Sequence, residues 1–163
     1  MAVFDTVAVM EAVNEEIAAQ ITAQGRPAPT QYLVPGAGAY APGVSADSDE
    51  CSSIVATLVD GFGTDNFPAP AARSCGSRQA RVLRFAVYRC IPVSDDAGNE
   101  PEASEYQAAS VDIIRDADAI YCGIRKALEY AGWDYLLGRY IPVGPEGGIS
   151  GGYWTVTVDT IES

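Results

Sequence analysis

Residues 139–161 read RYIPVGPEGGISGGYWTVTVDTI. An apolar half-strand runs into a Gly/Pro turn, and a strictly alternating strand then continues almost to the C-terminus. Glycines between Gly144 and Gly152, with Pro142 and Pro145, are turn chemistry. After them Trp154, Val156 and Val158 point one way, and Thr155, Thr157 and Asp159 the other. An apolar-in, polar-out closing strand behind a long glycine hairpin belongs to a sheet covered on one face. The stretch carries no nucleophile, general base or metal cluster, so it argues for a structural object rather than a catalyst.

Working outward, residues 79–91 read as an interior strand, with Leu83, Phe85, Val87 and Ile91 on one face and Arg84 and Tyr88 on the other. Arg81 and Arg89 share the apolar parity, near strand ends where a long side chain reaches solvent. Residues 51–60 alternate as a further strand, with Ile54, Ala56 and Leu58 on one face, and residues 61–78 are turn material. Residues 3–24 form a helix with Val3, Val7, Met10, Asn14, Ile17 and Ile21 on one stripe, stopped by Gly25 and Pro27. A second helix spans Glu105 to Ala131. Its broad apolar stripe includes Ile113, Ile114, Ala117, Ile120, Tyr121, Ile124 and Leu128, and Gly132 ends it. The expected fold is α+β: a mostly antiparallel sheet of about four strands, flanked by an N-terminal helix and one long helix. Residues 1–163 form one domain, interrupted by an irregular Pro/Gly-rich arm at 26–50.

That arm embeds Tyr32, Leu33, Val34 and Tyr40 among its prolines and glycines. A structureless segment of this length in a compact domain is usually functional, and its apolar content suits packing against a neighbour. Val111 and Cys122 fall on the polar side of the second helix, which suits cover by another chain. These six residues are the candidate interface.

Charge and composition restrict the functions available. Acidic residues outnumber basic ones 22 to 10, giving a net charge of −12, so the chain should repel nucleic acid and anionic lipid. No apolar run approaches the roughly 20 residues that span a bilayer. The first residues lack the basic start and apolar core of a signal peptide, which implies synthesis in the cytoplasm. Histidine is absent, which removes the commonest general base and metal ligand together. Cys51, Cys75, Cys90 and Cys122 show no C-x2-C spacing. Buried free thiols are the expected reading; a Cys51–Cys75 bridge is the alternative if the mature protein lives outside a cell.

The remaining arrangements have plain structural readings. Asp95 with Asp96 sits in an exposed loop, and Asp116 with Asp118 on the solvated side of a helix, so neither pair is set to do acid–base work. The Gly144–Gly152 segment lacks the Lys-Ser/Thr of a phosphate loop and no helix follows it, so a wide hairpin is expected. Tyr153 and Trp154 have no basic patch beside them and read as core filler. No catalytic residue, cofactor site or metal site is assigned.

The order of elements resembles a known family. The carriers are Tyr-Arg-Cys-Ile-Pro at Tyr88–Pro92, an Asp-Asp-x-Gly loop at Asp95–Gly98, the long helix, and the glycine hairpin followed by Trp-Thr-Val-Thr-Val. Over about residues 50–161 this layout resembles the tail terminator and head–tail neck proteins of long-tailed bacteriophages, notably those infecting actinobacteria. The arm at 26–50 has no counterpart in that pattern. The resemblance implies a virion protein made in the host cytoplasm and assembled as a hexameric ring. Such a ring caps the tail tube, ends its polymerisation and joins it to the head connector. Its implied partners are copies of itself, the major tail tube protein on one face and the head–tail connector or stopper on the other. DNA would pass through the lumen without specific binding, and no membrane is involved. A stopper or adaptor of the same neck, and a non-viral domain binding a small ligand under the Gly144–Gly152 loop, are the alternative readings.

Overall fold

The computed structural model describes residues 4–36, 51–71 and 78–162. Its elements follow in the order α1 (Thr6–Ala23), β1 (Thr30–Pro35), β2 (Ser52–Gly63), β3 (Gln79–Cys90), α2 (Ala103–Ala131), β4 (Trp133–Glu146) and β5 (Ile149–Glu162). The strands form one sheet in the order β1-β2-β3-β5-β4. β1 and β2 pair in parallel, and every other neighbouring pair is antiparallel. The architecture is α+β, with a mixed sheet of five strands where the sequence reading expects about four antiparallel ones.

The additional strand is β1, inside the segment expected to be an irregular arm. Tyr32, Leu33 and Val34 pair with Val55, Ala56 and Thr57. Pro29 precedes the strand and Pro35 ends it. Proline donates no backbone hydrogen bond, so it is tolerated at the ends of an edge strand, and its density here concealed a short one. Residues 37–50, including Tyr40, lie outside the described residues.

Helix termini follow local chemistry. The Asp5 carboxylate accepts from the Val7 and Ala8 amides at 2.9 and 3.3 Å and starts α1. At the far end Gly25, at φ 78°, donates to the Thr22 carbonyl while the Arg26 amide returns to Ile21. This left-handed cap satisfies two orphan carbonyls and aims Arg26 back across α2. Glu102 and Glu105 form a reciprocal capping box at the start of α2, and Gly132 closes it in the left-handed conformation.

Both helices cover one face of the sheet. The core gathers Val13, Ile17 and Ile21 from α1, Ile120, Ile124 and Leu128 from α2, and Ile54, Leu83, Phe85, Val87, Val156 and Val158 from the strands. Each large side chain so buried contributes roughly 1.5–3 kcal/mol. The helices cross at Gly123, where a Cβ would stand 2.6 Å from Ile17 Cγ1 and 2.8 Å from its backbone nitrogen. Val7, Leu58 and Ile114, expected in the core, are exposed. Leu58 precedes a register shift at Leu58/Asp60 that takes the end of β2 out of step.

The opposite face is less polar than the alternation in β5 implies. Val55, Ala86 and Tyr88 are buried there, with Val34, Val143, Ile149 and Tyr153 packed around them. Arg84 stacks over the Tyr153 ring at 4.5 Å. Asp159, expected in solvent, is fully buried, and its carboxylate accepts from Arg78 Nε at 2.8 Å.

The closing hairpin is tight rather than wide. β4 and β5 pair up to Glu146 and Ile149, leaving a two-residue turn with φ of 58° at Gly147 and 78° at Gly148. Positive φ at both turn positions matches the twist of paired strands, which explains glycine at each. Gly151 and Gly152 serve close approach instead. A side chain would collide with the Val87 carbonyl at Gly151 and with the Tyr140 ring at Gly152.

Candidate interaction surface

The structure separates the candidate interface residues into two groups. Tyr32, Leu33 and Val34 lie on β1, at one end of the sheet. Tyr32 and Val34 are half-buried, Val34 within the second apolar cluster, and Leu33 is 40% exposed. Val111 and Cys122 lie on α2, both exposed. They are eleven residues apart, which returns them to nearly the same side of the helix about 16 Å along its axis. α1 packs over β1 and β2, whereas α2 packs over β3, β4 and β5, so the two groups are not brought together.

The α2 surface is larger than the two residues singled out from sequence. Ile114 is 66% exposed and Tyr130 94% exposed, and Tyr121 also reaches solvent. The sequence reading puts Ile114 in the core because it draws the apolar stripe too broadly. Measured from fully buried Ile120, a step of about 100° per residue carries Ile114 about 120° around the helix. A narrower stripe would have found it.

Charged groups at the C-terminal end of this surface are paired. Arg125 holds Glu129 through Nε and Nη2 at 2.9 and 2.8 Å, and the Tyr135 hydroxyl donates to the same carboxylate oxygen at 2.9 Å. These bonds, the Arg125 one first, hold the Glu129 carboxyl below its ordinary range. Lys126 crosses to Glu16 on α1 at 2.6 Å. Ile114 and Tyr121 protrude on one side of the helix, about 20° apart, while Tyr130 protrudes roughly opposite them near its C-terminal end.

Two sequence expectations about ionisable groups are corrected beneath this surface. Asp116 is buried, not solvated. It accepts from Arg26 Nη1 at 2.6 Å and from Arg89 through Nη2 at 3.0 Å and through Nε. Arg89 therefore turns inward rather than out to solvent. The node ties the end of α1, the middle of α2 and the end of β3 together. Two guanidinium groups around one carboxylate make a structural clamp, because the carboxylate's oxygens are committed to fixed donors. Trp154, on β5, adds a hydrogen bond from Nε1 to the Ala117 carbonyl at 3.1 Å.

Cysteine pairing also differs from expectation. Cys51 and Cys90 form a disulfide across the start of β2 and the end of β3, with Cα atoms 5.0 Å apart. The same two residues share a backbone bond, Cys90 N–H to Cys51 O at 3.0 Å. Strand pairing sets this partnership, and linear spacing does not reveal it. Cys122 is free, and Cys75, the alternative partner considered for Cys51, lies outside the described residues. Among the described residues no group of three or more Cys, Asp or Glu is placed to hold a metal ion, and no helix is long and apolar enough to cross a membrane.

Comparison with protein-family models and with curated proteins finds no match to this chain.

Proposed function

We propose that the protein is a structural subunit of a phage neck, a tail terminator that assembles as a hexameric ring, caps the tail tube and joins it to the head connector. One observation carries the reading: the longest helix packs one apolar row into the core and turns Ile114 and Tyr121, about 20° apart around its axis, to solvent on another side. Neighbouring apolar groups left exposed on one side of a helix form a docking face rather than a reaction site. On this reading the face receives an axial partner, either the major tail tube protein or the head connector. The resemblance in element order between residues 50 and 161 supplies the identity of the assembly. The net charge of −12 agrees with a lumen through which DNA slides without sticking.

A stopper or adaptor would use a similar surface for a different neighbour. Against the ligand-binding alternative, Tyr140 and the β3 backbone fill the space beside Gly151 and Gly152, at one end of the loop.

The test is electron microscopy of the purified protein, alone and with assembling tail tubes. The terminator reading expects six-fold rings, tubes capped at one end, and tubes of uncontrolled length when the protein is withheld. Tubes of normal length that fail to join heads would indicate a stopper or adaptor. A monomer that never engages a tube would remove the neck reading altogether.

A further inference from the structure

Between α1 and β1 runs a groove of about 350 Å3, lined by Glu11, Asn14, Glu15, Gln31, Tyr32 and Leu33. Asn14 is only 1% exposed. Its Nδ2 donates to the Tyr32 carbonyl at 3.3 Å, which fixes the amide orientation, and its Oδ1 has no hydrogen-bond partner among the described residues. A buried acceptor left in this state keeps its desolvation cost uncompensated, so the site lacks a donor. Glu11 and Glu15, one helical turn apart, are exposed and make no ion pair among the described residues. An orphaned amide oxygen beside two unpaired carboxylates fits a cation with several donors. A guanidinium group, with five N–H groups in a planar fork, suits that arrangement.

We infer that this groove receives Arg139 from a second copy of the chain, and that the contact is the joint repeated around the ring. Arg139 is exposed on β4 and makes no ion pair among the described residues. It sits at a bulge, where Gly138 and Arg139 together oppose the single residue Thr155. A bulge breaks regular pairing and re-aims a side chain. Leu136, three residues earlier, is 52% exposed, and Leu33 at the groove is 40% exposed, so each half of the joint offers an apolar neighbour to shield the ion pair. β1 and β4 are opposite ends of the strand order. A contact between them uses two unlike patches, so it is heterologous, and such contacts close into rings when the rotation allows. The inference rests on the ring reading and specifies its joint.

Sedimentation and native mass spectrometry test it on the whole chain, with circular dichroism and melting temperature confirming that each variant is folded. R139Q and the double variant E11Q/E15Q should each weaken self-association about 30-fold or more and leave monomers. Mixed in equal amounts they retain one sound joint per pair, so they should stop at a heterodimer. The triple variant R139E/E11R/E15R reverses both sides and should recover the ring. Rings that persist in either neutralised variant overturn this joint and leave the ring reading standing. Loss in E11Q/E15Q with R139Q intact assigns the groove to a different cation and overturns the role of Arg139. Failure of both the mixture and the triple variant, with every chain folded, overturns it as well. A wild-type protein that is monomeric in solution and on tail tubes removes the ring reading and this joint with it.

Discussion

The Tyr140 hydroxyl is buried where the ring lies against Gly152, with no hydrogen-bond partner among the described residues. Burial first, and the negative charge of Asp116 second, push its pKa up from 10.0 to about 12. The folded state therefore favours the neutral phenol. Stability from this group is complete below pH 10 and declines as the pH rises through about 12, because only the unfolded chain ionises freely in that window. Y140F removes the hydroxyl without disturbing the ring. We expect its stability at pH 7 to equal or exceed wild type by up to about 1 kcal/mol, since no protein hydrogen bond is lost. Its thermal stability should also fall less steeply between pH 10 and 12, read by melting curves across that range. An unchanged alkaline slope would show that other groups govern it. None of this is legible from the sequence, where Tyr140 is one aromatic in a half-strand and its neighbours are unknown.

At the scale of elements, the Arg26–Asp116–Arg89 node joins three segments that hydrophobic patterning treats separately. α2 was legible because an apolar row recurring every three to four residues has few other solutions. The same rule misplaces Asp116. Its position on the helix falls within 40° or so of Ile120, but polarity argues for solvent, and only a pair of arginines arriving from elsewhere makes burial tolerable. D116N keeps the shape and removes the charge, leaving two guanidinium groups clustered and under-compensated. The expected loss is about 3–5 kcal/mol, measured by chemical denaturation. A loss below about 1 kcal/mol would show that solvent or the nearby Asp112 carboxylate, 3.8 Å from Arg26, takes over the compensation. β1 was missed for a related reason. Its identity as a strand comes from β2 beside it, not from its own proline-bounded composition.

For the whole molecule, the distribution of unsatisfied surface matters more than any one cluster. The sheet ends in two unlike edges, and α2 presents a third surface between helix-paired charges. If α2 meets the axial partner, as proposed, the variant I114E should still form rings yet lose attachment to tail tubes. Ile114 is already 66% exposed, so the isolated fold should change by no more than about 0.5 kcal/mol. Pull-down of tubes by the variant, beside ring formation on grids, separates the two effects. Intact tube binding would move the axial contact elsewhere.

The sequence alone determined the α+β class, both helices, the existence of the strands β2, β3 and β5, and the facing of Trp154, Val156 and Val158. These follow from periodicity and from glycine and proline chemistry, which act over a few residues. Only the tertiary structure decided the parallel β1, the Cys51–Cys90 bridge, the burial of Asp116 and Asp159, and the exposure of Ile114. Each depends on which distant group arrives alongside. A polar side chain is buried when a partner meets it and an apolar one is exposed when none does, and that pairing is a property of the folded chain.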